Sequence, residues 1–255
     1  MRHITLKKCI GMVRLKAKNI LLVSEGSTDK VLFEKINGIF FNNNLSFFIV
    51  RSSIHALYNT LKRDEFTDTV KVLKEMTSDN NDRAVLNNNF FSIYLIFDFD
   101  PQDSAYDRKH LTAMLDFFSN ETEMGKLYLN YPMLESFYDH SNFNLDEYIN
   151  RVVPKEDLGQ YKKLVNKRGC KIKLCDYSKR TFNKTIKLNL LKASLLILDK
   201  KDLPAFAVYQ EQVNQKNIFM IQDHHLRNKK TVSILNTSVF LVVDYLGKSY
   251  YESLI

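Results

Sequence analysis

The chain has 255 residues, of which 45% are hydrophobic and 26% charged, and its formal net charge is +8. This composition supports at least one sizeable hydrophobic core and excludes an intrinsically disordered or collagen-like chain. Because the sequence has no apolar run of about 20 residues, we expect no membrane span.

The first half of the sequence alternates strand and helix patterns. Short apolar runs predict strands, and apolar residues at helical spacing predict helices. In chain order we predict a strand over residues 19–24, a helix over 28–37, a strand over 45–50, a helix over 54–62, a loop over 79–89, a strand over 91–97, a helix over 107–118 and a strand over 126–130. Short, continuously apolar strands separated by helices indicate an α/β fold with a mainly parallel sheet flanked by helices.

The second half has a more helical character. Helices are predicted over residues 144–153, 158–165 and 183–198, and the apolar stretch 232–246 fits a strand or a helix, with helix favoured. We therefore predict two domains. Residues 1–140 would form the α/β domain, and residues 141–255 a mostly helical, basic subdomain for substrate binding or dimerisation.

The positive charge is concentrated in one segment. Residues 151–192 contain 13 Lys and Arg against 3 Asp and Glu, whereas residues 1–150 contain 17 against 20. A basic cluster fits a polyanionic partner, although a solvated helical face would have the same composition. The candidate nucleic-acid contacts are Lys162, Lys163, Lys167, Arg168, Lys171, Lys173, Lys179, Arg180, Lys184 and Lys187.

Three cysteines, Cys9, Cys170 and Cys175, have neither a disulfide pattern nor zinc-ligand spacing. The basic stretch 1–18 lacks the apolar core of a secretory signal. We therefore expect a reduced, cytoplasmic protein without membrane contact.

Acidic residues follow the predicted strands. Glu25 and Asp29 follow the first strand, Asp98 and Asp100 close the strongest one, and Glu135 comes shortly after the last. The carboxyl ends of strands in an open α/β sheet meet at one ligand crevice, and residues two apart on a strand share a face. These five carboxylates are therefore candidates for one site.

Several carboxylates at one site repel each other, and a hard cation removes that cost. Oxygen-only ligands favour Mg²⁺ or Mn²⁺, and the chemistry that follows is phosphoryl transfer or hydrolysis. Each acid also has a simpler explanation. Asp98 and Asp100 can end a strand, Asp29 can favour a helix start, and Glu135 can be a surface acid.

The segments LLVSEGSTDKVLFEKI and YLIFDFD resemble the TOPRIM domain of topoisomerases, primases and a group of nucleases. The resemblance implies a catalytic Glu25 and a metal-binding pair, Asp98 and Asp100. The form E-G-x-T-D is closer to the OLD-type nucleases. In that branch Asp29 and Glu135 would complete a one- or two-metal site, with catalysis by Glu25, Asp98, Asp100 and Glu135.

The OLD-type branch also implies a downstream lysine. Lys184, Lys187 and Lys192 are candidates by their position on a basic predicted helix. The choice among them stays open at the level of the sequence.

The segment LYLNYPMLES and the basic helical region resemble the TOPRIM effector subunits of PARIS anti-phage systems. This resemblance implies a toxin-like nuclease that an ABC-type ATPase holds inactive. Once released, the effector would dimerise and cleave host tRNA. The chain has no G-x-x-x-x-G-K-[ST] motif of its own, so an ATPase would have to be a partner.

Two other functions remain alternatives, namely an OLD-like DNA endonuclease and a non-catalytic nucleic-acid-binding protein. We do not expect a topoisomerase or a primase, because each needs further modules for its substrate. The acids themselves favour a nuclease, since a cluster of carboxylates is costly without a cation.

Overall fold

The structure is a computed structural model that describes residues 19–64, 66–102 and 106–255, without the side chains of residues 27 and 28. The basic N-terminal stretch and Cys9 lie outside the described residues. In the part of the chain that is described, no helix is long and apolar enough to cross a lipid bilayer.

The described residues form a five-stranded sheet in the order β2-β1-β3-β5-β4. The pairs β1–β2, β1–β3 and β3–β5 are parallel, and β4 runs antiparallel to β5. The predicted α/β fold with a mainly parallel sheet is confirmed. The strands are β1 (Ile20–Ser24), β2 (Leu45–Ile49), β3 (Ser92–Asp98), β4 (Ser119–Asn120) and β5 (Gly125–Asn130).

Five helices accompany these strands in the described part of the first half. They are α1 (Ser27–Phe40), α2 (Ile54–Leu61), α3 (Thr69–Met76), α4 (Asn80–Leu86) and α5 (Arg108–Phe117).

The predicted loop over residues 79–89 is wrong, because α4 occupies most of it. Asp79 caps this helix by accepting hydrogen bonds from the N–H groups of Asn81 and Asp82. Leu86 is fully buried and anchors the helix in the core. Asparagine and aspartate are favoured at helix starts as well as in turns, so the polar composition alone was misleading.

The second half adds mostly helices. They are α6 (Leu145–Ile149), α7 (Tyr161–Arg168), α8 (Lys179–Leu198), α9 (Phe206–Gln212), α10 (Gln215–Lys229) and α11 (Phe240–Glu252). Short 3-10 helices span Leu134–Tyr138, Lys155–Gln160 and Leu174–Asp176.

The predicted helix over residues 144–153 is wrong in its second part. Strand β6 (Val152–Pro154) follows α6 and pairs antiparallel with β7 (Thr231–Ser233). The favoured helix over 232–246 is likewise wrong at its start, where β7 lies. The paired strands bury Val153 and Val232 completely, which a separate helix at either place would not achieve.

The segment after β7 packs directly on the sheet. Thr237 donates a hydrogen bond from its hydroxyl to the carbonyl of Leu129 at 2.8 Å, and the N–H of Ser238 donates to the side chain of Asn130 at 3.2 Å. Buried residues from both halves form one continuous hydrophobic cluster. The boundary at residue 140 stays a prediction, but the residues beyond it share the core of the sheet.

Gly169 permits a close approach of backbone segments after α7. A Cβ atom at this position would lie 2.6 Å from the carbonyl oxygen of Val165 and 2.7 Å from that of Tyr138. The next residue, Cys170, donates its N–H to the same Tyr138 carbonyl at 2.7 Å. A side chain at position 169 would therefore force α7 away from the 3-10 helix Leu134–Tyr138.

We expect Gly169→Ala to lower the free energy of unfolding by about 1–3 kcal/mol, because the two closest contacts of the added Cβ are with backbone atoms. Urea denaturation measures this change. Gly159→Ala is the matched control, since a Cβ there meets nothing within 4 Å. Equal stability of the two variants would contradict the inferred close approach.

Candidate active site

The sheet brings the predicted carboxylates to one edge. β1 and β3 are neighbours, with Ser24 paired with Ile96, so Glu25 follows one strand beside the point where Asp98 ends the other. Glu135 lies in the 3-10 helix that follows β5. The expected convergence at the carboxyl edge of a parallel sheet thus has its structural basis in the strand order.

An open cleft of about 300 Å³ lies at this edge. Glu25, Asp98 and Asp100 line it, and we call it the carboxylate cleft. His55, in the first turn of α2, and Tyr106, just before α5, line the same cleft. Neither residue was predicted from the sequence, because each comes from a segment with no acidic motif.

Backbone N–H groups orient three of the carboxylates. Asp98 accepts a hydrogen bond from the N–H of Leu134 at 2.9 Å, and Asp100 accepts one from Gln102 at 2.9 Å. Asp29 accepts one from Gly26 at 3.2 Å. The last contact closes the first turn of α1, so the predicted helix-start role of Asp29 is present alongside its position near the cleft.

The pKa of Asp98 is raised well above its ordinary value. Desolvation by the surrounding protein is the largest cause, followed by the charges of Asp29, Glu25 and Glu135. The side chain nevertheless keeps contact with solvent through the cleft. Asp29, Glu25 and Glu135 are therefore close enough to Asp98 to disfavour its ionised form, as expected for clustered carboxylates.

A lysine stands among these acids. Lys162 on α7 forms an ion pair with Glu135 at 2.7 Å. Its pKa is raised, first by the hydrogen bond and charge of Glu135 and then by the charges of Asp29 and Asp98. Lys162 was predicted as a nucleic-acid contact, and the structure places this positive charge at the candidate active site.

The three lysines considered for catalysis lie elsewhere. Lys192 is completely buried, and its ammonium donates to the carbonyls of Tyr148 and Arg151 at 2.9 and 2.7 Å. Lys187 donates to the carbonyl of Ile255, and Lys184 lies over the ring of Phe143. Lys192 does not line the carboxylate cleft, and the choice of a catalytic lysine stays a prediction.

The predicted basic residues are mostly at the surface. Lys162, Lys163, Lys167, Lys171, Lys173, Lys179, Arg180 and Lys184 are exposed, whereas Arg168 and Lys187 are half-buried. Part of the positive charge counted in the sequence is internal, because Arg151 pairs with buried Asp139 and Lys192 is buried.

The carboxylates do not form a closed cage for a cation. In residues 19–64, 66–102 and 106–255, no group of three or more His, Cys, Asp or Glu is arranged to hold a metal ion by itself. Mg²⁺ is commonly held by one or two carboxylates together with water and substrate phosphate. The oxygen-only donors and their mutual repulsion fit such an open site.

A buried network connects the elements that carry Glu135 and Lys162. Asp139 is fully buried, directly after the 3-10 helix that contains Glu135. Its carboxylate accepts hydrogen bonds from Tyr161 at 2.9 Å, Arg168 at 2.7 Å and Arg151 at 2.7 Å. Tyr161 and Arg168 are the two ends of α7, so Asp139 holds this helix beside the cleft.

The pKa of Asp139 reflects this environment. Burial alone would raise it, but the hydrogen bond and charge of Arg168, together with the hydrogen bonds from Arg151 and Tyr161, lower it below the ordinary value. Asp139 was not predicted from the sequence. An isolated acid whose partners lie 12 to 29 residues away leaves no local pattern.

Comparison with known proteins gives no relative for this chain. No model of a protein family, no curated protein and no solved structure matches it. The case for a function therefore rests on the site.

We expect Asp139→Asn to lower the free energy of unfolding by about 3–5 kcal/mol, because it removes the buried carboxylate that Arg151 and Arg168 share. Urea denaturation at neutral pH measures the loss. Asp116→Asn is the matched control, since Asp116 forms an exposed ion pair with Lys216 and should change stability by about 1 kcal/mol or less. A loss at Asp139 no larger than at Asp116 would contradict the network.

The stabilising effect of Asp139 should depend on pH. Because its pKa is lower in the folded than in the unfolded state, the contribution is complete above the unfolded value of about 4 and is lost as the pH falls through the folded value. The stability difference between the wild type and Asp139→Asn should therefore shrink below about pH 4. A difference that stays constant in acid would show that Asp139 does not titrate as inferred.

Proposed function

We propose that this chain is a Mg²⁺-dependent TOPRIM-type nuclease. The observation that carries the proposal is the convergence of Glu25, Asp98 and Asp100 on one cleft at the carboxyl edge of a parallel sheet. Asp29 and Glu135 lie near enough to help raise the pKa of Asp98. A protein without a cation at this edge would gain nothing from such repulsion. The nearby charge of Lys162 suits a phosphodiester as well.

In this proposal Glu25, Asp98 and Asp100 hold the divalent ion, Mg²⁺ or Mn²⁺, at the cleft they line. When bound, the ion would lower the pKa of an attacking water and stabilise the leaving oxygen. Glu25 can alternatively accept the proton of that water. Asp29 and Glu135 would complete the site, with Glu135 orienting Lys162 toward the phosphate.

The proposed substrate is RNA. Exposed lysines of α7 and of the segment after it lie beside Glu135 and suit a phosphate backbone. Loop bases of a tRNA can be splayed out for recognition more easily than bases in a duplex. Following the resemblance to PARIS effectors, we propose a toxin-like role in anti-phage defence. Its partners would be an ABC-type ATPase that holds the chain inactive and a second copy of the chain in the active form.

Two alternatives each rest on one observation. Phosphate contacts through lysine do not distinguish RNA from DNA, so an OLD-like DNA endonuclease would use the same site. The exposed lysines beside Glu135 would equally suit a non-catalytic nucleic-acid-binding protein. The experiments below separate these three functions.

We expect expression of the wild-type chain in bacteria, without any ATPase partner, to produce new tRNA ends that Glu25→Gln reduces at least about a hundredfold. Sequencing of RNA ends and of genomic breaks measures both substrates together. Glu34→Gln, an exposed acid on α1, is the matched control and should behave as the wild type. DNA breaks alone would favour the endonuclease, and no lesion dependent on Glu25 would contradict the nuclease.

We expect Mg²⁺ to stabilise the wild type. In EDTA, Asp98→Asn should melt higher than the wild type, because one of the repelling carboxylates is gone. Saturating Mg²⁺ should raise the melting temperature of the wild type by about 5 °C or more and that of Asp98→Asn far less. Differential scanning fluorimetry measures both. An equal response of the two proteins would place the ion elsewhere.

A further inference from the structure

A second pocket is lined by the Glu135–Lys162 pair. Its volume is about 550 Å³, within the range of about 300–1,000 Å³ that is usual for ligand sites. Apolar side chains form much of its wall, among them Val31 of α1, Leu134, Val165 of α7 and Ile172.

Specific contacts hold the walls of this pocket in place. The ammonium of Lys35 on α1 donates to the carbonyl of Cys175 at 2.9 Å. The N–H of Cys170 donates to the carbonyl of Tyr138 at 2.7 Å. Val31 is 59% exposed, so the apolar wall at α1 faces solvent. The pocket is therefore a built apolar surface that remains open to solvent.

The rim of the second pocket is positively charged. Lys162, Lys171 and Lys173 line it, and all three are exposed. An apolar floor with a cationic rim complements a ligand that has a flat apolar part and negative charges beside it.

The second pocket and the carboxylate cleft flank one short backbone segment, whose Leu134 N–H donates to Asp98 at 2.9 Å. Met133 lines the cleft, while the next two residues, Leu134 and Glu135, line the pocket. Glu135 and Lys162 line the second pocket, so a polymer with a phosphate at Asp98 would have a neighbouring unit near this ion pair.

We infer that the second pocket receives one unstacked base of a single-stranded nucleic acid, next to the phosphodiester at the carboxylate cleft. Bases have apolar faces and follow each other on a charged backbone, which matches the floor and the rim. The inference rests on the proposed nuclease function and adds how the substrate is positioned. A duplex would not place a base in the second pocket, since its bases are stacked and paired.

The test compares two probes by fluorescence anisotropy in EDTA, where no cleavage occurs. One is a short fluorescent oligouridylate, and the other is a ribose–phosphate oligomer of the same length without bases. The wild type should bind the first about tenfold more tightly. The double variant Val31→Ser, Ile172→Ser keeps the charge of the protein and should reduce this ratio to near one.

Two controls locate the effect. Phe66→Ser removes an apolar residue that is 97% exposed outside the pocket and should leave the ratio unchanged. Lys173→Gln removes a positive charge from the rim and should weaken the binding of both probes by the same factor. If the double variant folds poorly, the single variant Val31→Ser replaces it, because Val31 is exposed. This variant should also lower the ratio of the two binding affinities.

A wild-type ratio near one, a ratio that the pocket variants do not change, or no binding of either probe would overturn the base pocket. The nuclease proposal is judged separately by cleavage that depends on Glu25. If cleavage occurs without base-dependent binding, only the pocket fails. If base-dependent binding occurs without cleavage, only the nuclease fails.

Discussion

The geometry of the candidate site depends on the hydrogen bonds and ion pairs of the Asp139 carboxylate. It lies at the end of the 3-10 helix that carries Glu135, and it binds both ends of α7, which carries Lys162. A fully buried carboxylate requires this many partners, because an unpaired charge in the interior is strongly destabilising. The same requirement makes the relative position of the two elements unique, since few arrangements satisfy Asp139, Arg151 and Arg168 together.

The sheet and the acids at its edge were predictable from the sequence. Strands β1 and β3 are short apolar runs buried on both faces. Glu25 directly follows β1, and Asp98 is the last residue of β3. The register of neighbouring strands then brings the acids together without further information. Helix α4 was missed because an Asn-rich segment looks like a loop until Leu86 is seen to be buried.

The sequence alone could not separate the structural charges of the basic segment 151–192 from its surface charges. Arg151 and Lys192 contributed to the predicted surface charge, yet both are structural. Arg151 compensates Asp139, and Lys192 satisfies backbone carbonyls between α6 and β6. Burial lowers the pKa of Lys192 well below its ordinary value, which is the opposite of the shift at Lys162. Only contacts between residues far apart in sequence distinguish a buried lysine such as Lys192 from a lysine at the candidate active site such as Lys162.

The Glu135–Lys162 pair cannot by itself fix the lysine at the cleft. Lys162 is 62% exposed, and an ion pair with such exposure contributes about 1 kcal/mol or less. Its position must come from α7, whose two ends are held by Asp139 and whose exit depends on the close approach at Gly169. The buried charges thus orient an exposed charge that is left available for an anion. This division of roles leaves Lys162 on the wall of the second pocket and paired with Glu135, whose charge in turn acts on Asp98 in the carboxylate cleft.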